Sequence, residues 1–194
     1  MRAQRTDLEF RRTDQLPRAT SQGAEVRVLD ERDAEAYRAL RLQALEREPH
    51  AFGAAAEEYR SETLEAVRQG LRPQPEGNFT VGAFLGGRLV GIASFTRYDA
   101  LKLRHRGHVG SVYVDEGARG RGTGQALLEA LIARVSRYDG LERLSLGVIT
   151  GQAAAQRLYR RLGFETSCTE RRTMRVGDTY LDQEQMVLWL EPTS

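Results

Sequence analysis

Apolar positions recur with regular periods only from Glu25 onward. Up to about Ala24 the chain is polar, rich in Arg, Thr, Gln and Ser, and broken by Pro17 and Gly23, so residues 1–24 read as a flexible tail and 25–194 as the folded domain. Val26, Val28 and Leu29 predict a short strand. Asp30 or Asp33 can cap a helix over 31–46 that carries Tyr37, Leu40, Leu42, Ala44 and Leu45 and stops at Pro49. A weaker helix over 55–69 ends at Gly70, and the segment to Asn78, with Pro73, Pro75 and Gly77, is a loop. Phe79–Leu85 and Arg88–Phe95 form a hairpin, because Gly86-Gly87 supplies the positive φ angles of a two-residue turn. Val109–Val114 is a strand by its alternation. Thr123–Tyr138 is a helix with Leu127, Leu128, Leu131, Ile132 and Val135 on one face, an apolar stripe that has to pack on a sheet. A strand over Arg143–Ile149, a helix over Ala153–Leu162 ended by Gly163, and strands near Thr166–Val176 and Gln185–Leu190 finish the pattern. This order predicts a single α/β domain whose sheet mixes hairpins with at least one parallel crossover.

Composition narrows the function. Of 194 residues, 40% are hydrophobic and 29% charged, enough to bury a core. No apolar stretch approaches the ~18 residues that cross a bilayer, and MRAQRTDLEF lacks the apolar centre of an export signal, so a cytoplasmic protein without membrane contact is expected. The single Cys168 and three histidines exclude a Cys/His zinc cage, and no metal is expected. Net charge is +2, but residues 1–24 hold five arginines and three acids, which leaves the domain formally neutral. Nucleic-acid binding rests on clustered Lys and Arg, so no nucleic-acid partner is expected and any anion site must be local.

One segment offers such a site. After the strand ending at Val114 comes Asp115-Glu116-Gly117-Ala118-Arg119-Gly120-Arg121-Gly122-Thr123-Gly124, then the amphipathic helix. The first amides of a helix lack carbonyl partners and sit at the positive end of its dipole, so they bind phosphate oxygens. Glycines let the backbone come close, and Arg119 and Arg121 can add charge-assisted bonds suited to a diphosphate. The bland alternative is a tight turn with two solvated arginines. It is not a P-loop, because the lysine of GxxxxGK[ST] is missing, nor a dinucleotide fingerprint, because the strand over 143–149 does not end in an acid.

Arg119-x-x-Gly122-x-Gly124 after Val112-Tyr113-Val114 resembles the acetyl-CoA signature, [QR]xxGx[GA], of the GCN5-related N-acetyltransferase (GNAT) superfamily. Leu144-x-Leu146-x-Val148 and Ala155-x-x-Leu158-Tyr159-x-x-x-Gly163-Phe164 are similar to that family's next strand and helix, and the likeness covers about residues 25–190. It implies a mixed, mostly antiparallel central sheet flanked by helices, with a splayed pair of parallel strands, here 109–114 and 143–149, holding acetyl-CoA as co-substrate. Backbone groups of Val112, Tyr113 and Val114 would pair with the pantetheine arm, amides from Arg119, Gly120, Arg121, Gly122, Thr123 and Gly124 would cradle the pyrophosphate, and a strand N–H would face the thioester carbonyl. Tyr159 would be the catalytic hydroxyl that assists the leaving thiolate. Members often carry Asn seven residues before that tyrosine, where this chain has Gln152, which keeps the amide on a longer arm and is a candidate contact to the coenzyme.

The resemblance implies an acetyl-CoA-dependent N-acetyltransferase acting on a primary amine by direct attack in a ternary complex, the amine belonging to a small molecule or a protein. A non-catalytic acetyl-CoA sensor of the same fold is the alternative, and a homodimer is possible within the family. A base is also needed, because an aliphatic amine of pKa ~10 arrives protonated. Strict alternation puts His108 on the face of Val112 and Val114, although its polar surroundings also fit a merely exposed histidine. Glu57, Glu58, Asp99, Asp182 and Glu184 are further candidates. Cys168 has no histidine neighbour and reads as a buried small hydrophobe rather than a nucleophile. The helices over 31–46 and 55–69 would wall the acceptor side, whose ligand the sequence leaves open.

Overall fold

A computed structural model describes residues 20–21, 23–72, 74 and 76–190. Most of the expected tail, residues 1–19, therefore lies outside the described residues. The strands are β1 (Thr20–Ser21), β2 (Ala24–Val28), β3 (Phe79–Leu85), β4 (Arg88–Arg97), β5 (Arg106–Val114), β6 (Arg143–Ile149), β7 (Glu165–Val176) and β8 (Thr179–Trp189). The helices are α1 (Ala34–Arg47), α2 (Ala56–Arg60), α3 (Leu64–Gly70), α4 (Thr123–Val135) and α5 (Ala153–Arg161). One sheet runs β1-β2-β3-β4-β5-β6-β8-β7, antiparallel throughout except where β5 meets β6. The expected mixed, mostly antiparallel α/β sheet with one parallel pair is the fold. The two-residue β1, within the segment read as tail, pairs with β2. No described helix is long and apolar enough to cross a membrane.

Alternation along the strands sorts side chains into two layers. Phe79, Val81 and Ala83 of β3 and Val90, Ala93 and Phe95 of β4 meet Leu127, Leu128 and Leu131 of α4 on one face. Leu29, Leu89 and Ile92 meet Leu40 and Ala44 of α1 and Val67 of α3 on the other. Burial of side chains this size is worth roughly 1.5–3 kcal/mol each, so the stripe on α4 fixes that helix against the sheet. The 3-10 turn Glu31–Asp33 that leads into α1 is set by a reciprocal cap: Asp30 Oδ1 accepts from the Arg32 N–H at 2.9 Å and Asp33 Oδ2 from the Asp30 N–H at 3.0 Å. The Gly86-Gly87 turn has φ of +56° and +79°, as the hairpin requires.

Two expected helices change. The one over 55–69 is two short helices, because Thr63 is extended (φ −73°, ψ 150°) and its Oγ1 accepts from the Ala66 N–H at 3.1 Å, opening a new helix. The one over 123–138 ends at Val135, and Tyr138 instead packs its ring against Phe95 at 5.7 Å between centroids.

Candidate active site

Strands β5 and β6 pair at only three positions, Arg106↔Arg143, Gly107↔Leu144 and His108↔Ser145. Beyond them the strands part, while β5 continues to pair with β4 on its other edge as far as Val114. The parting opens a cavity of about 710 Å³, lined by residues 109–114, the glycine turn, Gly147 and Val148 of β6, and the start of α5. That size falls in the range of small-molecule sites, roughly 300–1,000 Å³. Backbone N–H and C=O groups demand partners, so an unpaired strand edge facing a cavity suits an extended ligand that carries amides of its own.

A bulge interrupts β5. Ile92 pairs with Tyr113 but Ser94 with Gly110, so the register slips between them, and Ser111 takes φ +52°. The slip reverses the alternation: Val109, Val112 and Val114 lie toward the α4 layer, whereas Tyr113 joins the α1 layer, its hydroxyl accepting from Gln43 Nε2 at 3.2 Å. His108 therefore shares a face with Tyr113, not with Val112 and Val114. That corrects the expectation from strict alternation, whose failure the small pair Gly110-Ser111 could have signalled.

The turn after β5 is built around positive φ, +73° at Gly120 and +77° at Gly122, the residue that opens α4. A non-glycine residue in that region costs roughly 1–2 kcal/mol. At Gly124 a Cβ would stand 3.3 Å from Leu158 Cδ2, so α4 and α5 meet closely there. Thr123 is buried and its hydroxyl donates to the Ala118 carbonyl at 3.1 Å, closing the turn. Asp115, which sequence reasoning passed over, anchors the start: it accepts from Arg88 Nη1 at 2.8 Å and Gln43 Nε2 at 3.0 Å, and these partners hold its carboxyl below the usual range. The Arg119 side chain does not point freely into the gap. Its Nε donates to the Val114 carbonyl at 2.9 Å and its Nη2 to Glu48 Oε1 at 2.8 Å, which ties the turn to the loop after α1. Arg121 is exposed.

Tyr159 stands on α5 with 7% of its surface exposed, its ring 6.0 Å from Phe164 in an edge-on contact, and it lines the gap. Among the described residues nothing hydrogen-bonds its hydroxyl, and burial pushes its pKa up to about 12. Gln152, just before α5, lines the same gap. On the opposite face of β5, the His108 ring approaches Gly110, another lining residue, with Cδ2 and Nε2 3.6 Å from where a Gly110 Cβ would lie. The ring is solvent-exposed, yet its protein surroundings strip away enough water to lower its pKa from 6.5. Glu184 is occupied by Gln156, Arg160 and Thr166, each at 2.9 Å. Asp182 accepts from the Arg172 N–H at 2.8 Å. Cys168 is exposed on β7 at the far edge of the sheet, not buried as expected, and away from the gap.

The family model of the acetyltransferase (GNAT) family matches residues 34–164. L-methionine sulfoximine/L-methionine sulfone acetyltransferase of Pseudomonas aeruginosa is 38% identical over 114 residues, 58% of this chain and 65% of that protein. Spermine/spermidine N(1)-acetyltransferase of Bacillus subtilis is 33% identical over 88 residues, 44% of this chain and 58% of that protein. The matches thus span less than two thirds of these curated relatives. Among solved structures, yncA of Salmonella typhimurium, determined with its cofactor acetyl-CoA, superposes with a TM-score of 0.72 at 24% identity, covering 88% of this chain and 96% of that one. With the splayed β5–β6 pair and the glycine turn in place, the match over residues 34–164 establishes that this chain belongs to the acetyltransferase (GNAT) family.

Proposed function

We propose that the protein transfers the acetyl group of acetyl-CoA to a primary amine by direct attack within a ternary complex. The observation that carries this reading is one cavity walled on one side by an unpaired strand edge running into glycine-rich helix amides and lined as well by the buried residue Tyr159, whose hydroxyl has no hydrogen-bond partner among the described residues. The residues present fit the coenzyme: the β5 backbone at Val112, Tyr113 and Val114 offers strand-like pairing to the pantetheine amides. The amides of Arg119 to Gly124 at the start of α4 offer the pyrophosphate a positive dipole end. Arg121 adds charge from the rim, and Gln152 offers its amide. Bound acetyl-CoA supplies an acetyl group already activated as a thioester.

The chain's own groups then divide the work. The bulge at Ser111 turns part of the β5 backbone out of register with β4, which frees an N–H for the carbonyl oxygen where negative charge develops. The Tyr159 hydroxyl donates a hydrogen bond to the departing sulfur. With a phenol of about 12 facing a thiol of ~8.5, handing over the proton is uphill by roughly three to four pK units, so donation without transfer is the favoured role. His108, whose pKa desolvation lowers, accepts the proton from the amine nitrogen as the new N–C bond forms, when that nitrogen is far more acidic than the free ammonium. The test is release of CoA thiol with a panel of amines, together with a rise in melting temperature on adding acetyl-CoA. Binding without turnover over the whole panel contradicts the enzyme and favours a sensor.

A further inference from the structure

Three donors stand together on the acceptor side with nothing to bond. Arg38 Nε, Arg41 Nη1 and the Tyr59 hydroxyl are buried and have no hydrogen-bond partner among the described residues. Arg38 and Arg41, three positions apart, share one face of α1, and Tyr59 reaches them from α2. Among the described residues neither arginine forms an ion pair. Arg38 spends one nitrogen on the Arg60 carbonyl at 3.2 Å, and the titratable groups that act on Arg41 are the Tyr37 and Tyr59 phenols. Two like charges on one helix face repel, and a half-buried guanidinium without an anion recovers only part of its lost solvation, Arg41 from the Phe52 ring. Glu62, which with Tyr37 and Tyr59 lines a cavity of about 190 Å³, is exposed and pairs with neither arginine.

The cluster adjoins the coenzyme gap through one ring. The Arg41 guanidinium lies 4.6 Å from the centre of Phe52, and Phe52 lines the gap and meets Tyr113 edge-on at 6.5 Å. On the sheet floor Thr80, which lines the small cavity with Tyr59, is bonded to Ser94 at 2.9 Å. An acceptor entering over this floor brings its amine toward the parted strands and its other end toward α1.

We infer that Arg38, Arg41 and Tyr59 form an anion subsite for a carboxylate on the acceptor, so that the acceptor is an amino-acid-like zwitterion and not a polyamine. This rests on the acetyl-transfer reading and deepens it. A guanidinium fork matches two carboxylate oxygens, and the Tyr59 hydroxyl supplies a further donor. A polyamine, cationic along its whole length, meets two uncompensated positive charges on the same wall.

The test compares L-amino acids, L-methionine sulfone among them, each against its methyl ester, and spermidine, at saturating acetyl-CoA. Esterification removes the carboxylate charge and lowers the amine pKa, which on its own favours the ester, so a preference for the acid reports recognition of the anion. Wild type is expected to use at least one acid with a kcat/KM about tenfold or more above its ester. Arg41→Met is expected to bring that ratio to within about threefold while the ester's kcat and the KM for acetyl-CoA stay as they were. Tyr59→Phe, which removes one oxygen only, is expected to weaken the acid several-fold and spare the ester. The inference is overturned if wild type uses spermidine or the esters as well as the acids, or if Arg41→Met lowers all acceptors alike. It is also overturned if that variant raises the KM for acetyl-CoA, which would assign the anion to the coenzyme's phosphates. If no amine releases CoA while acetyl-CoA still binds, the acetyl-transfer reading itself has failed, and the inference falls with it.

Discussion

The two walls of the gap are made of different material. On the coenzyme side the groups on offer are backbone: the free edge of β5, the bulge at Ser111, and the amides at Gly120 to Gly124. On the proposed acceptor side they are long side chains from helices, Arg38 and Arg41 of α1 and Tyr59 of α2 among them, together with His108 on the sheet. Backbone geometry is dictated by a few glycines and a register, so it can be shared by many chains that use one coenzyme. Side chains on short helices change one at a time, and the acceptor can change with them. The difference teaches where this chain resembles its family and where it is specific.

Breaking the backbone wall has the largest expected effect. Gly122→Val puts a side chain at φ +77° among the turn amides, and losing two charge-assisted amide bonds at roughly 1.5–3 kcal/mol each weakens acetyl-CoA binding by about 100-fold or more. Titration calorimetry reads it, with circular dichroism to show that the fold survives. Tyr159→Phe probes the inner end of the gap. Its kcat falls by up to about 100-fold, the worth of one hydrogen bond to a charged sulfur at roughly 1.5–3 kcal/mol, while acetyl-CoA affinity changes little, because the ring still packs on Phe164.

His108→Gln moves the test to the acceptor face, with an expected loss of about 10²-fold in kcat/KM. The pH profile gives the sign: a lowered pKa keeps the wild-type imidazole neutral at and above 6.5, so activity holds down through that value and declines only below it. The variant loses this acid limb. The smallest effect belongs to the link between the walls. Glu48→Gln removes the partner of Arg119 in a half-exposed pair worth about 0–1 kcal/mol, so the melting temperature barely moves. The freed Arg119 then tightens acetyl-CoA a few-fold by calorimetry.

The same contrast explains what could be read from the sequence. The glycine spacing from Arg119 to Gly124, the paired glycines at Gly86-Gly87 and the stripe on α4 each state a local geometry in their residue types, and from them the fold class and the position of the glycine turn are legible. The Ser111 bulge is marked only by the small pair Gly110-Ser111, which strict alternation overlooks, so His108 lies on the face opposite to the one alternation predicts. The break at Ser61–Thr63 depended on a threonine cap inside an otherwise helical stretch. The Arg119 side chain, expected on a diphosphate, met Glu48, a residue distant in sequence. The cluster of Arg38, Arg41 and Tyr59 exists only once α2 folds back on α1, so no spacing rule announces it.

The central claim is that the parting of β5 and β6 is the coenzyme site. A crystal structure with acetyl-CoA bound tests it most directly. The account predicts the pantetheine arm alongside residues 109–114, the pyrophosphate on the amides of Gly120 to Gly124, and the sulfur within hydrogen-bonding distance of the Tyr159 hydroxyl. Coenzyme bound elsewhere, with the gap closed by the protein's own side chains, would contradict it.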